Sequence, residues 1–384
     1  MRKPVDAAIE ARVVHPAELS VADIAAWRRL QEQTPQFGSP LLGARFARTV
    51  GDVRIDARVA IYRRGGRIVG FLAHHRRPRG FARPIGAPFC DYHGLVAAPD
   101  AGLAGAEALQ AAGLSAMRLT GLVDPFGAFA SARPGSRAYR VLAERSAASP
   151  PAASVAAATL ASKHHRRYRR SLEQAIGQVQ LVADDRDGAA FERLIAWKRA
   201  HLARTGLHDF LAAPWSAELM RRLFETRSAG FGGLMISLYA GDRLAAAHFG
   251  IRQGGWFHPW IGAFDPQLKA HSPGSVHQVE ALGAMGELAL HTYDLGPGED
   301  HWKRRLATDS VQLGQGLAAA PTIAGGLAAR TERFWDAAAL RGAPLAGRAR
   351  GRLDQIAALE LTLAGRARGI ARALITHRRR EWAA

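Results

Sequence analysis

The chain has 384 residues, 48% of them hydrophobic and 22% charged, a globular composition long enough for about two full-sized cores and unlike that of a disordered chain. A single cysteine, Cys90, excludes an intramolecular disulfide framework and any multi-cysteine zinc site, so a reducing cytoplasm fits. The net charge of +19, carried mostly by arginine, favours anionic partners such as cofactor phosphates, nucleic acid or acidic lipid, although Arg- and Ala-rich composition also accompanies GC-rich coding.

The first residues, MRKPVDAAIEARVVHP, lack the continuous apolar stretch of a signal peptide. Gly316 to Ala329, the longest weakly polar run, is too rich in Ala and Gly to span a bilayer. The expected location is therefore cytoplasmic, at most peripheral to an inner membrane.

Residues 15 to 33 carry Ala22, Ile24, Ala25, Trp27 and Leu30 near helical spacing, and Ser39-Pro40 opens a second short helix. Val59 to Tyr62 and Arg67 to Ala73 then flank Arg64-Gly65-Gly66, a hairpin signal because glycine tolerates the positive φ of a tight turn. Pro84 to Val96 is rich in Gly and Pro and predicts two more short strands. Within residues 131 to 158 the cluster SAASPPAAS marks a domain boundary.

Beyond it the pattern predicts a basic helix from Leu160 to Ile176, a strand from Val179 to Ala183 and a helix from Ala189 to Arg204. A second hairpin follows, Leu234 to Tyr239 and Leu244 to Ile251 around Ala240-Gly241-Asp242, then a strand from Trp256 to Ala263. The pieces IYRRGGRIVGFLAHH and SLYAGDRLAAAHFG share the order strand, tight turn, Arg, strand, His, which points to duplication of one ancestral unit. KAHSPGS then leads into a helix ending near Leu290, and Thr292 to Gly296 is a last strand before GPGEDHWKRRL. After Gly316 comes an Ala/Gly/Arg-rich tail with one amphipathic helix expected from Leu353 to Arg380. The expected organisation is a domain over 1–145, a linker over 146–158, a second domain over 159–316 and a basic helical tail over 317–384.

The segment from Lys269 to Ser275 is the most informative for chemistry. Ser272 is placed to cap the helix, Pro273 suits its first position and Gly274 lets a ligand approach the backbone. Free N–H groups and the positive end of the helix dipole suit a pyrophosphate, with Lys269 and His271 adding charge. An ordinary capped helix is the alternative.

The stretch from Ala240 to Leu306 resembles the GNAT acyltransferases of the FemAB-like, CelD-type group associated with cellulose and exopolysaccharide biosynthesis. The resemblance rests on the Gly241-Asp242-Arg243 hairpin, the Ser272-Pro273-Gly274 loop, Tyr293-Asp294-Leu295-Gly296, and Gly298 followed by Trp302-Lys303. It extends through KHHRRYRRSL and WKRAHLARTGLHDF and, more weakly, over residues 35 to 100, including DYHGL. The usual Gln/Arg-x-x-Gly-x-Gly/Ala phosphate loop is not present, and Trp302-Lys303 stands where relatives commonly have Tyr-Lys.

The resemblance implies an α/β (α+β) fold of two tandem GNAT-like domains, each a mixed, mostly antiparallel sheet with flanking helices. It also implies acetyl-CoA or another acyl-CoA as co-substrate, with pyrophosphate at Lys269, His271, Ser272, Gly274 and Ser275 and no metal. Aminoacyl-tRNA is the donor in some FemAB relatives. Asp294 and Lys303 carry over as substrate-binding positions, with structural ion pairing as the alternative for Lys303.

Direct transfer needs a base for the acceptor amine or hydroxyl, for which His248, Asp265 and Glu280 are candidates. Their ordinary readings are a core histidine, a turn residue before Pro266 and a solvated helix position. His93, beside Asp91 and Tyr92, is a further substrate-binding candidate or a capped loop, and Cys90 reads as a small buried residue. The cations of Lys163 to Arg170 fit an acidic acceptor, RNA or a solvated face. No histidines stand at metal-ligand spacing. Expected partners are a glycan-related, lipid-linked or peptide acceptor, tRNA, and a polysaccharide synthase complex or anionic membrane reached through the tail; the alternative to an enzyme is a catalytically inactive scaffold that docks on such a complex or membrane through Arg348 to Arg380.

Overall fold

The computed structural model describes residues 8–143, 162–226, 228, 230–340, 344–362 and 364–371. The expected linker, 146–158, lies outside them. The chain forms two compact units, one from residues 1–136, 212–216 and 312–384 and the other from 137–211 and 217–311.

The first unit begins with β1 (Ile9–Val14), α1 (Val21–Gln33), α2 (Ala44–Gly51), β2 (Ala57–Arg64) and β3 (Arg67–Arg76). It continues with β4 (Phe81–Pro84), β5 (Val96–Ala97), α3 (Gly105–Ala111) and β6 (Ala116–Leu122). The sheet runs β1-β2-β3-β4-β6-β13, with β5 on β3; the β4–β6 pair is parallel and the others are antiparallel. Ser20 and Asp23 close a capping box that starts α1. The same helix buries Trp27 face to face with Phe71, ring centroids 4.7 Å apart.

In the second unit, β7 (Arg133–Leu142) is followed by α4 (Lys163–Ala175), β8 (Val179–Val182), α5 (Gly188–Thr205) and α6 (Pro214–Glu225). Then come β9 (Phe231–Ala240), β10 (Arg243–Gln253), β11 (Trp256–Phe264), α7 (Pro273–Gly283), β12 (Thr292–Pro297), α8 (His301–Leu306) and β13 (Asp309–Ala319). The unit boundaries fall inside β7, after Ser136; after Leu211; inside α6, after Ser216; and inside β13, after Val311, so the first turn of α6 belongs to the first unit. The order is β7-β12-β11-β10-β9-β8, parallel only between β11 and β12. Each unit is thus an α/β layer structure around a mixed, mostly antiparallel sheet. One face of the second sheet packs Ile236, Phe257 and Tyr293 against Ala281 and Leu282 of α7. Phe249 meets Phe191 of α5 and Phe224 of α6.

The strand β7 lies inside the expected first domain and is not among the expected strands, because its outward residues are Arg, Gly and Ser and only Ala138, Tyr139 and Val141 are buried. The tail also differs from expectation. It forms α9 (Ile323–Leu340), α10 (Pro344–Leu359) and a further helical stretch over 364–371, so the single helix expected from Leu353 is interrupted after Leu359. The expected end at Arg380 lies outside the described residues, and the described residues from 312 on group with the first unit. Glu332 pairs with Arg118 at 2.8 Å and Asp354 with Arg83 at 3.1 Å. The last carbonyls of α10 accept from Arg77 at Ala357, from Arg54 at Ala358 (3.4 Å) and from the Trp215 indole at Leu359 (3.1 Å). Cations at a helix C-terminus oppose the negative end of its dipole. Of these described tail residues Ile356, Ala358 and Leu359 are buried, while Ile323, Leu327 and Phe334 are exposed. Among the described residues no helix is long and apolar enough to cross a membrane.

Candidate active site

The parallel strands β11 and β12 pair only at Trp256–Thr292 and Phe257–Tyr293, then part, although β11 continues to Phe264 and β12 to Pro297. A break in register between Phe249 and Gly250 of β10 adds a bulge opposite β11. Gly250 is required there, because a Cβ would sit 2.0 Å from the His258 carbonyl oxygen. Just past the divergence, a 3-10 turn from Pro266 to His271 delivers the chain to α7.

At that helix start Ser272 is left-handed, with φ 50° and ψ 48°, and its hydroxyl makes no cap. This corrects the expected serine cap: an N-cap hydroxyl reaches the first-turn N–H groups from extended backbone, not from this conformation. The Ser272 carbonyl instead accepts from Ser275 at 3.0 Å and Val276 at 3.3 Å. Pro273 has no N–H, and the Gly274 N–H has no acceptor among the described residues. Lys269 is exposed, and His271 Nδ1 lies 2.8 Å from Ser171 Oγ of α4. A helix start with one free N–H and no Cβ at Gly274, preceded by the exposed Lys269, has the chemistry that accepts a phosphate.

His248 on β10 faces Gly262 of β11, where any Cβ would lie 2.8 Å from the imidazole. The histidine is half-buried; its Nδ1 lies 3.1 Å from the Tyr293 hydroxyl, and its ring centroid lies 4.3 Å from that of His277 on α7. His277 is fully buried, and its Nε2 lies 2.8 Å from the Ile236 carbonyl while its Nδ1 has no partner. Burial, the His277 ring and the Lys198 charge hold His248 well below the ordinary histidine range, and burial brings His277 down to about 4. Both imidazoles are neutral at pH 7. Lys198 on α5 is half-buried with no ion pair among the described residues, and burial lowers its ammonium as well.

The other predicted positions are engaged elsewhere. Asp265 caps the 3-10 turn by accepting from Gln267 N–H at 2.9 Å and pairs with Arg243 at 2.6 Å. Glu280 lies 3.1 Å from His165 Nε2 and 2.8 Å from Arg169, tying α7 to α4. Burial raises its carboxyl, but the His165 hydrogen bond and the Arg169 charge outweigh that and hold it low. Asp294 is fully buried, 3.3 Å from His258 Nδ1, and accepts from Gly296 N–H at 2.8 Å, so it fastens the roots of the parting strands. Lys303 donates to the Pro297 carbonyl at 2.6 Å and stands 3.5 Å from Asp300. His93 belongs to the first unit, where its Nε2 accepts from Thr120 N–H at 3.0 Å and burial lowers it to about 3. Cys90 is buried and donates to the Tyr92 carbonyl at 2.6 Å.

The structure thus brings His248 together with His277, which sequence reasoning had not selected, and with Tyr293, which it had named only as part of a motif and given no site role. The signal available was a histidine and a tyrosine on apolar faces, which is also the signal of an ordinary core.

Residues 161–304 match the family described as Acetyltransferase (GNAT) domain, a span that contains every element of this site. The second unit therefore carries an acyltransferase domain. Among solved structures, the chain is similar to a tandem GNAT protein from the clavulanic acid biosynthesis pathway, at 11% identity, 82% of this chain, 99% of that one and TM-score 0.48. It is similar to FemX at 10% identity, 79% and 95% coverage and TM-score 0.48. A third such structure is L-PGS from Bacillus licheniformis, at 9% identity, 79% and 96% coverage and TM-score 0.41. No curated protein matches the sequence.

Proposed function

We propose that the second unit transfers an acyl group directly from acyl-CoA to the amine or hydroxyl of a glycan-related, lipid-linked or peptide acceptor, in the setting of envelope polysaccharide assembly. The observation that carries this reading is the parting of β11 and β12 beside the free Gly274 N–H of α7. Strand backbone left unpaired by the divergence offers hydrogen-bonding groups to an extended thioester arm, and the helix start offers a phosphate cradle. Acyl-CoA supplies an activated thioester carbonyl when bound; as the acceptor's N or O bonds to that carbon the C–S bond breaks, and CoA leaves as the thiol with the proton given up by the acceptor. His248 takes the acceptor proton, its Nδ1–H donating to Tyr293 so that Nε2 carries the lone pair. A neutral imidazole is the form this step requires.

Asp265 and Glu280 are held in ion pairs and act as positioning residues, not bases. Asp294 keeps the cleft root closed, and Lys303 holds the 297–300 loop in shape.

Calorimetric titration of acetyl-CoA into wild-type protein and Gly274→Glu tests the donor. Saturable binding lost in a Gly274→Glu variant with an unchanged circular dichroism spectrum is the expected result; absence of binding to the folded wild type sinks the acyl-CoA reading. A second reading, aminoacyl-tRNA as donor, is favoured by Lys163, Arg166, Arg167 and Arg170, exposed cations of α4 with no acidic partner among the described residues. That reading predicts tRNA affinity falling steeply with salt and acetyl-CoA binding absent.

A further inference from the structure

We propose that an open depression on the second unit is a saccharide-binding subsite, and that the sugar it holds belongs to the acceptor. The second half of that statement rests on the acyltransferase reading; the first does not. The cavity, about 700 Å³, lies among α5, the turn between β9 and β10 and the residues that follow β11. Arg193 and Trp197 are one helical turn apart on α5, so a guanidinium and an indole share one wall. Ile176 adds an apolar edge, and Asp242 and Gln267 supply polar groups from the other side.

The charges define what fits. Arg243 is spoken for, with Nη2 2.6 Å from Asp265 and 2.5 Å from Gln267 Oε1. Arg193 and Asp242 have no ion-pair partner among the described residues. A phosphate drawn to Arg193 would meet the Asp242 carboxylate, and an ammonium drawn to Asp242 would meet Arg193. A neutral polyol satisfies both, its hydroxyls donating to Asp242 and accepting from Arg193 and the Gln267 amide. The C–H face of a pyranose lies flat on an indole, which has an apolar body and needs little ordering.

The cavity is wide to solvent, unlike sites that enclose a small ligand, so it suits one ring of a longer chain. Arg243 opens β10 and His248 lies five residues further, about 15 Å along the strand and more than one ring spans. An acceptor that reacts beside His248 while filling the cavity is therefore a saccharide of several units, with binding energy from the remote ring spent on holding the reacting one.

The test is calorimetry on the full chain with cellopentaose, chitopentaose and pentagalacturonate, against Trp197→Ala, Trp197→Tyr and Arg193→Ala, with acetyl-CoA titrated in parallel. Saturable binding of a neutral pentasaccharide, cellopentaose or chitopentaose, with little binding of the anionic pentagalacturonate, is expected, weakened about tenfold by Trp197→Ala and largely kept by Trp197→Tyr. Binding of neither neutral pentasaccharide, preference for pentagalacturonate over both, binding indifferent to both Trp197→Ala and Arg193→Ala, or displacement of the saccharide by acetyl-CoA overturns the subsite. Saccharide binding without acetyl-CoA binding leaves the subsite standing and removes the acyl-CoA reading; the reverse removes the subsite alone.

Discussion

The β2–β3 hairpin of the first unit and the β9–β10 hairpin of the second carry histidines in similar sequence settings and use them differently. His75 is fully buried at the end of β3, one ring nitrogen 3.1 Å from Asp56 and the other accepting from Gly86 N–H at 2.9 Å. His248 is half-buried in mid-strand, with one nitrogen on the Tyr293 hydroxyl and its face toward His277. An imidazole whose two nitrogens meet fixed groups is a clasp between chain segments. One with a single engaged nitrogen and an open edge keeps a lone pair available for a proton.

The sharpest way to break this contrast is substitution of the two histidines. His248→Ala should lower kcat by about 10²- to 10⁴-fold with acetyl-CoA affinity unchanged, the range for losing a positioned base. His75→Ala should leave kcat per folded molecule alone and lower the urea midpoint instead. Because His248 lies well below 6.5, the acid limb of kcat/KM should fall below that pH, with activity level from there into the neutral range.

The clasp itself can be opened from the other side. Arg54 is buried, with its Nε 2.9 Å from Asp56, and burial of Asp56 is outweighed by hydrogen bonds from His75 and Arg54 that keep it ionised. Arg54→Ala removes the two-pronged contact to that carboxylate, leaves it with His75 and with Arg77 at 3.1 Å, and should destabilise the protein by about 3 kcal/mol in urea melts.

A pH series sharpens the comparison further. His74 and His75 of the first unit sit at about 4, as does His277 of the second, and His93 sits at about 3, all through burial. Unfolding returns each toward 6.5. The unfolded chain binds more protons between these values, so stability is full above 6.5 and is lost as pH falls through that window. Urea melts from pH 7.5 to 5 should show the slope; pH-independent stability would contradict the buried, neutral assignment.

The smallest effect belongs to Glu280→Gln, which removes a charge from the His165–Arg169 tie and should cost about 1–3 kcal/mol without changing the rate of transfer per folded molecule. A selective fall in kcat would restore Glu280 as a base.

Both hairpins, the β11 strand and the α5 helix were legible because alternation and glycine turns express themselves within a dozen residues. The helix start at Pro273 was legible for the same reason, though the left-handed Ser272 was not, since serine there reads as a cap. Strand β13 was hidden, because DSVQLGQGLAA has little apolar alternation and pairs with β6, nearly two hundred residues away. The roles of Asp265, Glu280 and Asp294 depend on Arg243, Arg169 and His258, partners that adjacency in the chain does not reveal. His277 and Tyr293 sit on apolar faces, where nothing local separates a site residue from a core one.

The first unit is assembled from three separated pieces of chain, and its β6 edge is covered by β13 residues 314–319. During synthesis at about 5–20 residues per second, that edge emerges on the order of ten seconds or more before the strand that covers it. An uncovered strand edge is a template for pairing with other chains. The nascent protein therefore carries its own window of aggregation risk, and recombinant yield should respond more to slower translation or added chaperone than to substitutions that stabilise the finished fold.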